Sequence, residues 1–91
     1  MKNIKLNGQW ELKLPDHRAD TWAKDWELER LNAMHANIKK NDFIVYAGAE
    51  QGDIPALLAS WGAKLALIEP AAELWPNIRK TFVANALHPI S

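Results

Sequence analysis

The sequence contains no cysteine and has no excess of either charge. Among its 91 residues, 11 Lys and Arg balance 11 Asp and Glu, so the formal net charge is zero. The absence of cysteine excludes a disulfide scaffold and thiolate metal sites, and it is typical of a reducing compartment. The balanced charge gives no support to binding of nucleic acid or of an anionic membrane surface, since both require a basic excess.

Long apolar runs are also missing. No run approaches the roughly 18 residues of a membrane span, and Met1 opens a polar segment rather than a signal peptide. The apolar share of 48% is ordinary for a folded chain. We therefore expect one domain at most, in the cytoplasm. The scattered His17, His35 and His88 predict no metal site.

Apolar residues recur at every second position over much of residues 3–14, and this alternation predicts a β-hairpin. We interpret the hairpin as a structural lid. A loop of odd length keeps the apolar side chains on one face. We expect a three-residue loop from Leu6 to Gly8, with Ile4 opposite Trp10. The apolar residues at even positions are Ile4, Leu6, Trp10, Leu12 and Leu14.

The next segment predicts a loop followed by one long helix. We assign residues 1–19 to the hairpin and loop and residues 20–40 to the helix, because apolar residues recur at helical spacing. Asp20 or Thr21 is expected to cap this helix. Trp22 and Trp26 are expected to pack in the core rather than to cover a pocket.

Residues 42–87 predict a β-α-β-α unit. Two short apolar runs, 43–47 and 64–68, enclose a helix over about 54–61, and a further helix covers about 72–87. Asp53 is expected to cap the first of these helices and Gly62 to end it. The strands should be parallel and buried on both faces. The fold class is therefore α/β, with a hairpin and a helix before a β-α-β-α unit.

A glycine turn joins the first of these strands to its helix. The sequence YAGAEQGD places Gly48 and Gly52 where a ligand can approach the backbone and where the helix start offers N–H groups. Glu69 ends the next strand about 20 residues on, as does the ribose-binding acid of nucleotide-binding α/β folds. The pattern predicts a nucleoside site. The alternative is that the glycines serve turn geometry alone and that Glu69 is a solvated strand end.

This set of residues resembles the cofactor-binding segment of Rossmann-like methyltransferases of the FkbM type. The stretch YAGAEQGD is similar to the family signature D-x-G-A-x-x-G-x, LIEP to its strand-end acid and proline, and WPNIRKTFVAN to the helix that follows. The resemblance implies S-adenosyl-L-methionine as cofactor and methyl transfer to an oxygen of a small-molecule acceptor. The cofactor-binding residues that it implies are Gly48, Ala49, Glu50, Gly52, Asp53, Glu69 and Pro70.

The sequence departs from the family pattern in two ways. Tyr46 stands where the family has an aspartate, so this position supplies no charge and its ring could fill part of the pocket. The family sheet also continues beyond the two strands predicted here. We therefore expect a single partial domain: the front part of a longer enzyme, a truncated copy, or a chain that self-associates through open sheet edges.

Two other functions are open at this point. A non-catalytic remnant or a self-associating interaction module would account for Tyr46 and the short sheet. A nicotinamide-binding module would require G-x-G-x-x-G, but Glu50 stands in the position of the middle glycine and Asp53 would repel a pyrophosphate. The sequence therefore favours the methyltransferase over the nicotinamide-binding module.

Overall fold

The chain begins with an antiparallel β-hairpin in the computed structural model, which describes residues 1–22, 27–50 and 52–89. Strand β1 covers Lys2–Leu6 and strand β2 covers Trp10–Leu14. The odd-length loop is confirmed, but it spans residues 7–9, and Leu6 rather than Ile4 lies opposite Trp10. Asn7 and Gly8 explain the shift, because both adopt positive φ, 50° and 69°, and the turn is centred on them.

Two helices follow the hairpin, where the sequence predicted a loop and one long helix. Helix α1 covers Asp16–Thr21 and helix α2 covers Leu28–Asn37. The prediction of one helix over 20–40 is therefore wrong in its start and extent, although α2 lies inside that range. Asp20 and Thr21 both lie inside α1 instead of capping α2. Glu27 precedes α2 at φ 54°, a left-handed conformation that a continuous right-handed helix does not contain.

Only one of the two tryptophans in this region can be compared with its prediction. Trp22 is partly buried and packs against the core, as expected. Trp26 lies outside the described residues.

The second half of the chain forms the predicted β-α-β-α unit. Strand β3 (Phe43–Ala47), helix α3 (Asp53–Ser60) and strand β4 (Lys64–Ile68) follow one another, and the two strands are parallel. A 3₁₀ turn over Ala72–Leu74 then leads into helix α4 (Trp75–Ala84). Pro76 lies in the first turn of α4, where a missing N–H is tolerated. The chain is therefore mixed α/β, with a hairpin and a two-stranded parallel sheet.

The core lies between the hairpin, helices α3 and α4, and the parallel sheet. Strand β2 packs against α3 and α4, and α3 packs against β4. The hairpin thus covers the helices, as expected of a lid. The largest fully buried apolar side chains are Leu6, Leu12, Leu14, Leu31, Leu57, Leu58, Leu65, Ile78 and Phe82.

Asn85, just after α4, fastens that helix to the hairpin. Its side-chain Oδ1 accepts the Lys13 N–H at 2.7 Å, and its Nδ2 donates to the Lys13 carbonyl at 2.8 Å. The same Nδ2 donates to the Thr81 carbonyl at 2.7 Å. One amide side chain thus pairs with both the N–H and the carbonyl of Lys13 at the edge of β2, as the backbone of a neighbouring strand would.

The outer face of the parallel sheet is open. Phe43, Val45 and Ile68 are 63%, 58% and 53% exposed, whereas Leu65 and Leu67 on the opposite face are buried. The prediction that both strands are buried on both faces is therefore wrong. Its physical reason is that α3 packs against β4 while the outer face of the sheet is left exposed to solvent. Within the described ranges, no helix combines the length and apolar character needed to cross a bilayer.

Candidate functional site

A cavity of about 420 Å³ lies at the carboxyl end of β3. Its volume falls in the range of roughly 300–1,000 Å³ that is typical of small-ligand sites. In open α/β sheets, ligands bind outside the carboxyl ends of the parallel strands. The lining residues come from α1, α2, β3, the turn after β3 and the start of α3: His17, Arg18, Arg30, Tyr46, Gly48, Ala49, Glu50, Asp53 and Ile54.

The two glycines of the turn have different roles. Gly48 has φ 76°, and a Cβ added there would meet nothing within 4 Å, so a ligand can approach its backbone. Gly52 has φ 81°, and its added Cβ would lie 3.1 Å from the Ile78 Cα. Gly52 therefore lets α4 pack closely against the turn, whereas Gly48 borders the cavity.

Several backbone N–H groups of the turn already donate hydrogen bonds to carbonyl groups of the chain. The N–H groups of Gly48 and Ala49 donate to the Ile68 carbonyl at 2.8 and 3.3 Å. The Gly52 N–H donates to the Ala49 carbonyl at 2.8 Å. The first two hydrogen bonds hold the turn to the end of β4, and the third closes the turn on itself. These N–H groups therefore do not form the anion-binding cradle that a pyrophosphate requires.

The Glu69 carboxylate lies against the same turn. Its Oε1 accepts the Glu50 N–H at 2.8 Å, and its Oε2 accepts the Ala71 N–H at 2.9 Å. The Trp75 indole donates to the Glu69 carbonyl at 2.9 Å, which fixes the strand end. Glu69 is therefore not a solvated strand end. Each carboxylate oxygen has a second lone pair with which it can accept a ligand hydroxyl.

The structure places the predicted cofactor-binding residues on two parts of the site. Those that line the cavity are Gly48, Ala49, Glu50 and Asp53. Those outside its lining are Gly52, Glu69 and Pro70. Pro70 is exposed at the exit of β4. The main chain of Glu50 connects the two parts, because Glu50 borders the cavity and its N–H binds Glu69.

Asp53 is a buried carboxylate, 6% exposed, at the start of α3. The prediction that it caps α3 needs correction, because Gly52 is the N-cap and Asp53 is the first helical residue. Its Oδ1 accepts the Ile54 N–H at 2.9 Å, and its Oδ2 accepts the Arg18 Nε–H at 2.5 Å. A negative charge at this position also interacts favourably with the helix dipole.

Arg18 ties α1 to this site. Besides its ion pair with Asp53, its guanidinium lies 4.8 Å from the centre of the Trp22 ring. Sequence reasoning missed Arg18 and His17 because α1 has no buried apolar side chain and therefore no helical period. The available signal was Pro15 followed by Asp16, a combination typical of a helix start.

Tyr46 forms a wall of the cavity and does not fill it. The phenol is half-buried, and burial raises the pKa of Tyr46 above its ordinary value of 10.0, while the neighbouring Arg30 guanidinium opposes that rise. Arg30 also pairs with Glu27, which is the main reason that the pKa of Arg30 is raised. Tyr46 is therefore a neutral hydroxyl donor at physiological pH.

Charged groups of both signs border the cavity. Arg18 and Arg30 are cationic, and Glu50 and Asp53 are anionic. No group of three or more His, Asp or Glu side chains in the described part of the chain is placed to hold a metal ion. The arrangement can therefore bind a polar organic ligand through hydrogen bonds and ion pairs.

Comparison of the chain with protein-family models, curated proteins and solved structures gives no match.

Proposed function

We propose that this chain binds S-adenosyl-L-methionine and forms the cofactor-holding part of a Rossmann-like methyltransferase of the FkbM type. The observation that carries the proposal is the hydrogen bond from the Glu50 N–H to the Glu69 carboxylate, at 2.8 Å. It supports the proposal because it joins the glycine turn to the acid of the neighbouring strand. The sequence resemblance supplies the reaction, O-methylation of a small molecule, and the lack of cysteine favours the cytoplasm.

In this proposal, the residues of the site position the cofactor. The remaining lone pairs of Glu69 accept the two ribose hydroxyls, and hydrogen bonds to a charged group each contribute about 1.5–3 kcal/mol. Gly48 allows the cofactor to lie close to the backbone. The cofactor itself supplies the activated methyl group, so the protein's task is to orient it and exclude water.

Binding of a nicotinamide dinucleotide is less well supported. The N–H groups of Gly48, Ala49 and Gly52 already have acceptors within the chain. Asp53 would also place a buried carboxylate next to a pyrophosphate. A sulfonium ligand, by contrast, carries a positive charge.

Isothermal titration calorimetry with S-adenosylhomocysteine, the demethylated product, tests the proposal. We expect saturable binding to the full chain and a loss of about tenfold or more in affinity for Glu69→Gln, because the amide has lost the charge that strengthens its bonds to hydroxyls. The matched control is Glu73→Gln, an exposed glutamate of the 3₁₀ turn, which should bind normally. Lack of binding by a chain that melts cooperatively would contradict the proposal.

A second candidate function is self-association of the chain. The outer sheet face exposes Phe43, Val45 and Ile68, and parallel sheets are normally covered on both faces. A second copy of this chain would present the same apolar surface, and a two-fold dimer requires such self-complementarity. We infer that the occupant of this face is a second copy, which leaves the cavity at the carboxyl end of β3 for the cofactor.

A further inference from the structure

Helix α4 and the chain that follows it enclose a second cavity, of about 310 Å³. The helix supplies five of the lining residues, at the spacing i, i+3, i+4, i+7 and i+8 that defines one side of a helix. They are Trp75, Ile78, Arg79, Phe82 and Val83. Ile78 and Phe82 are buried, whereas Val83 is 73% exposed. This side of α4 therefore turns partly into the core and partly towards the cavity.

The opposite wall is the chain after α4, which a Schellman turn folds back against the helix. Ala86 adopts the left-handed conformation of this motif, with φ 56°. The Leu87 N–H donates to the Phe82 carbonyl at 2.9 Å, and the Ala86 N–H donates to the Val83 carbonyl at 3.0 Å. Leu87 and the two residues after it therefore line the cavity across from the helix.

The charge of this cavity has one sign. Its titratable lining residues are Arg79 and His88, and no Asp or Glu is among the described residues that line it. A neighbouring depression on the other side of Val83 adds Lys80 and likewise has no acidic residue in its described lining. The cavity at the carboxyl end of β3, by contrast, has two carboxylates in its lining. The second cavity is therefore suited to an anion.

We propose that this cavity binds a small apolar carboxylate, with the hydrocarbon part between α4 and the returning chain and the carboxylate on Arg79. Small-ligand sites are concave, are lined mainly by apolar and aromatic side chains with a few polar groups, and have volumes of roughly 300–1,000 Å³. The Trp75 ring is held in place in this wall, because its indole N–H donates to the Glu69 carbonyl at 2.9 Å. A ligand that covers Val83 also removes apolar surface from water.

The inference does not depend on the proposed function, because the two cavities share no lining residue. Three probes with the same chain length and different charge test it: octanoate, 1-octanol and octylammonium. In ¹H–¹⁵N spectra of the full chain, octanoate below its micellar concentration should bind saturably, with the largest shifts at the amides of Arg79, Val83 and Leu87. Octylammonium should bind at least about tenfold more weakly, because a guanidinium attracts a carboxylate and repels an ammonium group.

Two substitutions on α4 locate the carboxylate. Arg79→Gln should reduce the affinity for octanoate about tenfold and leave that for 1-octanol unchanged. The matched control Lys80→Gln removes the same charge from the next position, which is also exposed but does not line this cavity, and its effect should be much smaller. A thermal melt verifies the folding of both variants.

Equal affinities for octanoate and octylammonium would overturn the inference, as would an Arg79→Gln variant that binds octanoate normally. Shifts confined to the outer sheet face, or no binding by a chain that melts cooperatively, would also reject it. Self-association that Val83→Lys abolishes would assign this side of α4 to a second copy of the chain instead.

Discussion

Tyr46 can be studied alone, because it is the only tyrosine of the chain. Burial raises the pKa of its phenol above 10.0, and Arg30 lowers it. A titration followed by the absorbance of tyrosinate should therefore have its midpoint above 10.0 in the folded chain. Arg30→Gln should raise the midpoint further, whereas Arg79→Gln should leave it unchanged. A midpoint at or below 10.0 would show that the phenol is not buried as described.

The same pKa has a consequence for stability. Because the folded-state pKa of Tyr46 is higher than the unfolded one, the contribution of the phenol to stability is complete below pH 10. It is lost as the pH rises from 10 through the folded-state pKa. The free energy of unfolding of Tyr46→Phe should therefore decline less over this alkaline range than that of the wild-type chain.

At the scale of secondary-structure elements, the contact between the glycine turn and α4 depends on Gly52. Gly48→Ala should cost about 1–2 kcal/mol, the strain of a left-handed alanine in open space. Gly52→Ala has the same strain and also brings a Cβ to within 3.1 Å of the Ile78 Cα, and overpacking of this kind adds about 1–3 kcal/mol. Urea unfolding of the two variants measures the difference. Equal losses of stability would mean that α4 does not pack against the turn as described.

The elements that the sequence predicted correctly are those with a strong local pattern. Strands β3 and β4 were found because each is a short apolar run, and the residues between them leave room for only one helix. Helix α1 was missed because it buries no side chain and so leaves no apolar pattern in the sequence. The break before α2 was missed because it depends on the left-handed backbone of Glu27, which the spacing of apolar residues does not reveal. The predicted pairing of the hairpin strands was wrong, because Leu6 rather than Ile4 lies opposite Trp10. The shift leaves the same side chains on the inner face of the hairpin.

The candidate site was predictable where it depends on the β-α-β unit. The proximity of the glycine turn to Glu69 was predicted from their spacing, because parallel strands end at the same edge of a sheet. Arg18 and Arg30 were not predicted as site residues, because they reach the cavity from α1 and α2 and only tertiary packing brings them there. The role of Gly52 was also hidden, because its partner Ile78 belongs to another helix.

At the scale of the whole molecule, the open sheet face predicts self-association. Sedimentation velocity over a range of concentrations should show a dimer of the wild-type chain, because burial of Phe43, Val45 and Ile68 removes apolar surface from water. Val45→Lys should shift the equilibrium to the monomer. Val83→Lys is the matched control, since Val83 is 73% exposed but lies on α4. A wild-type chain that sediments as a monomer at every concentration would argue against this interface.

The most direct test of the account locates the ligand on the folded chain. In ¹H–¹⁵N correlation spectra of the full chain, S-adenosylhomocysteine should cause its largest shifts at the amides of Gly48, Ala49 and Glu50, which lie between the cavity and the Glu69 carboxylate. Glu69→Gln should require a higher ligand concentration for the same shifts. Spectra that do not change at saturating ligand, or that change only at the outer sheet face, would contradict the proposal that this turn holds the cofactor.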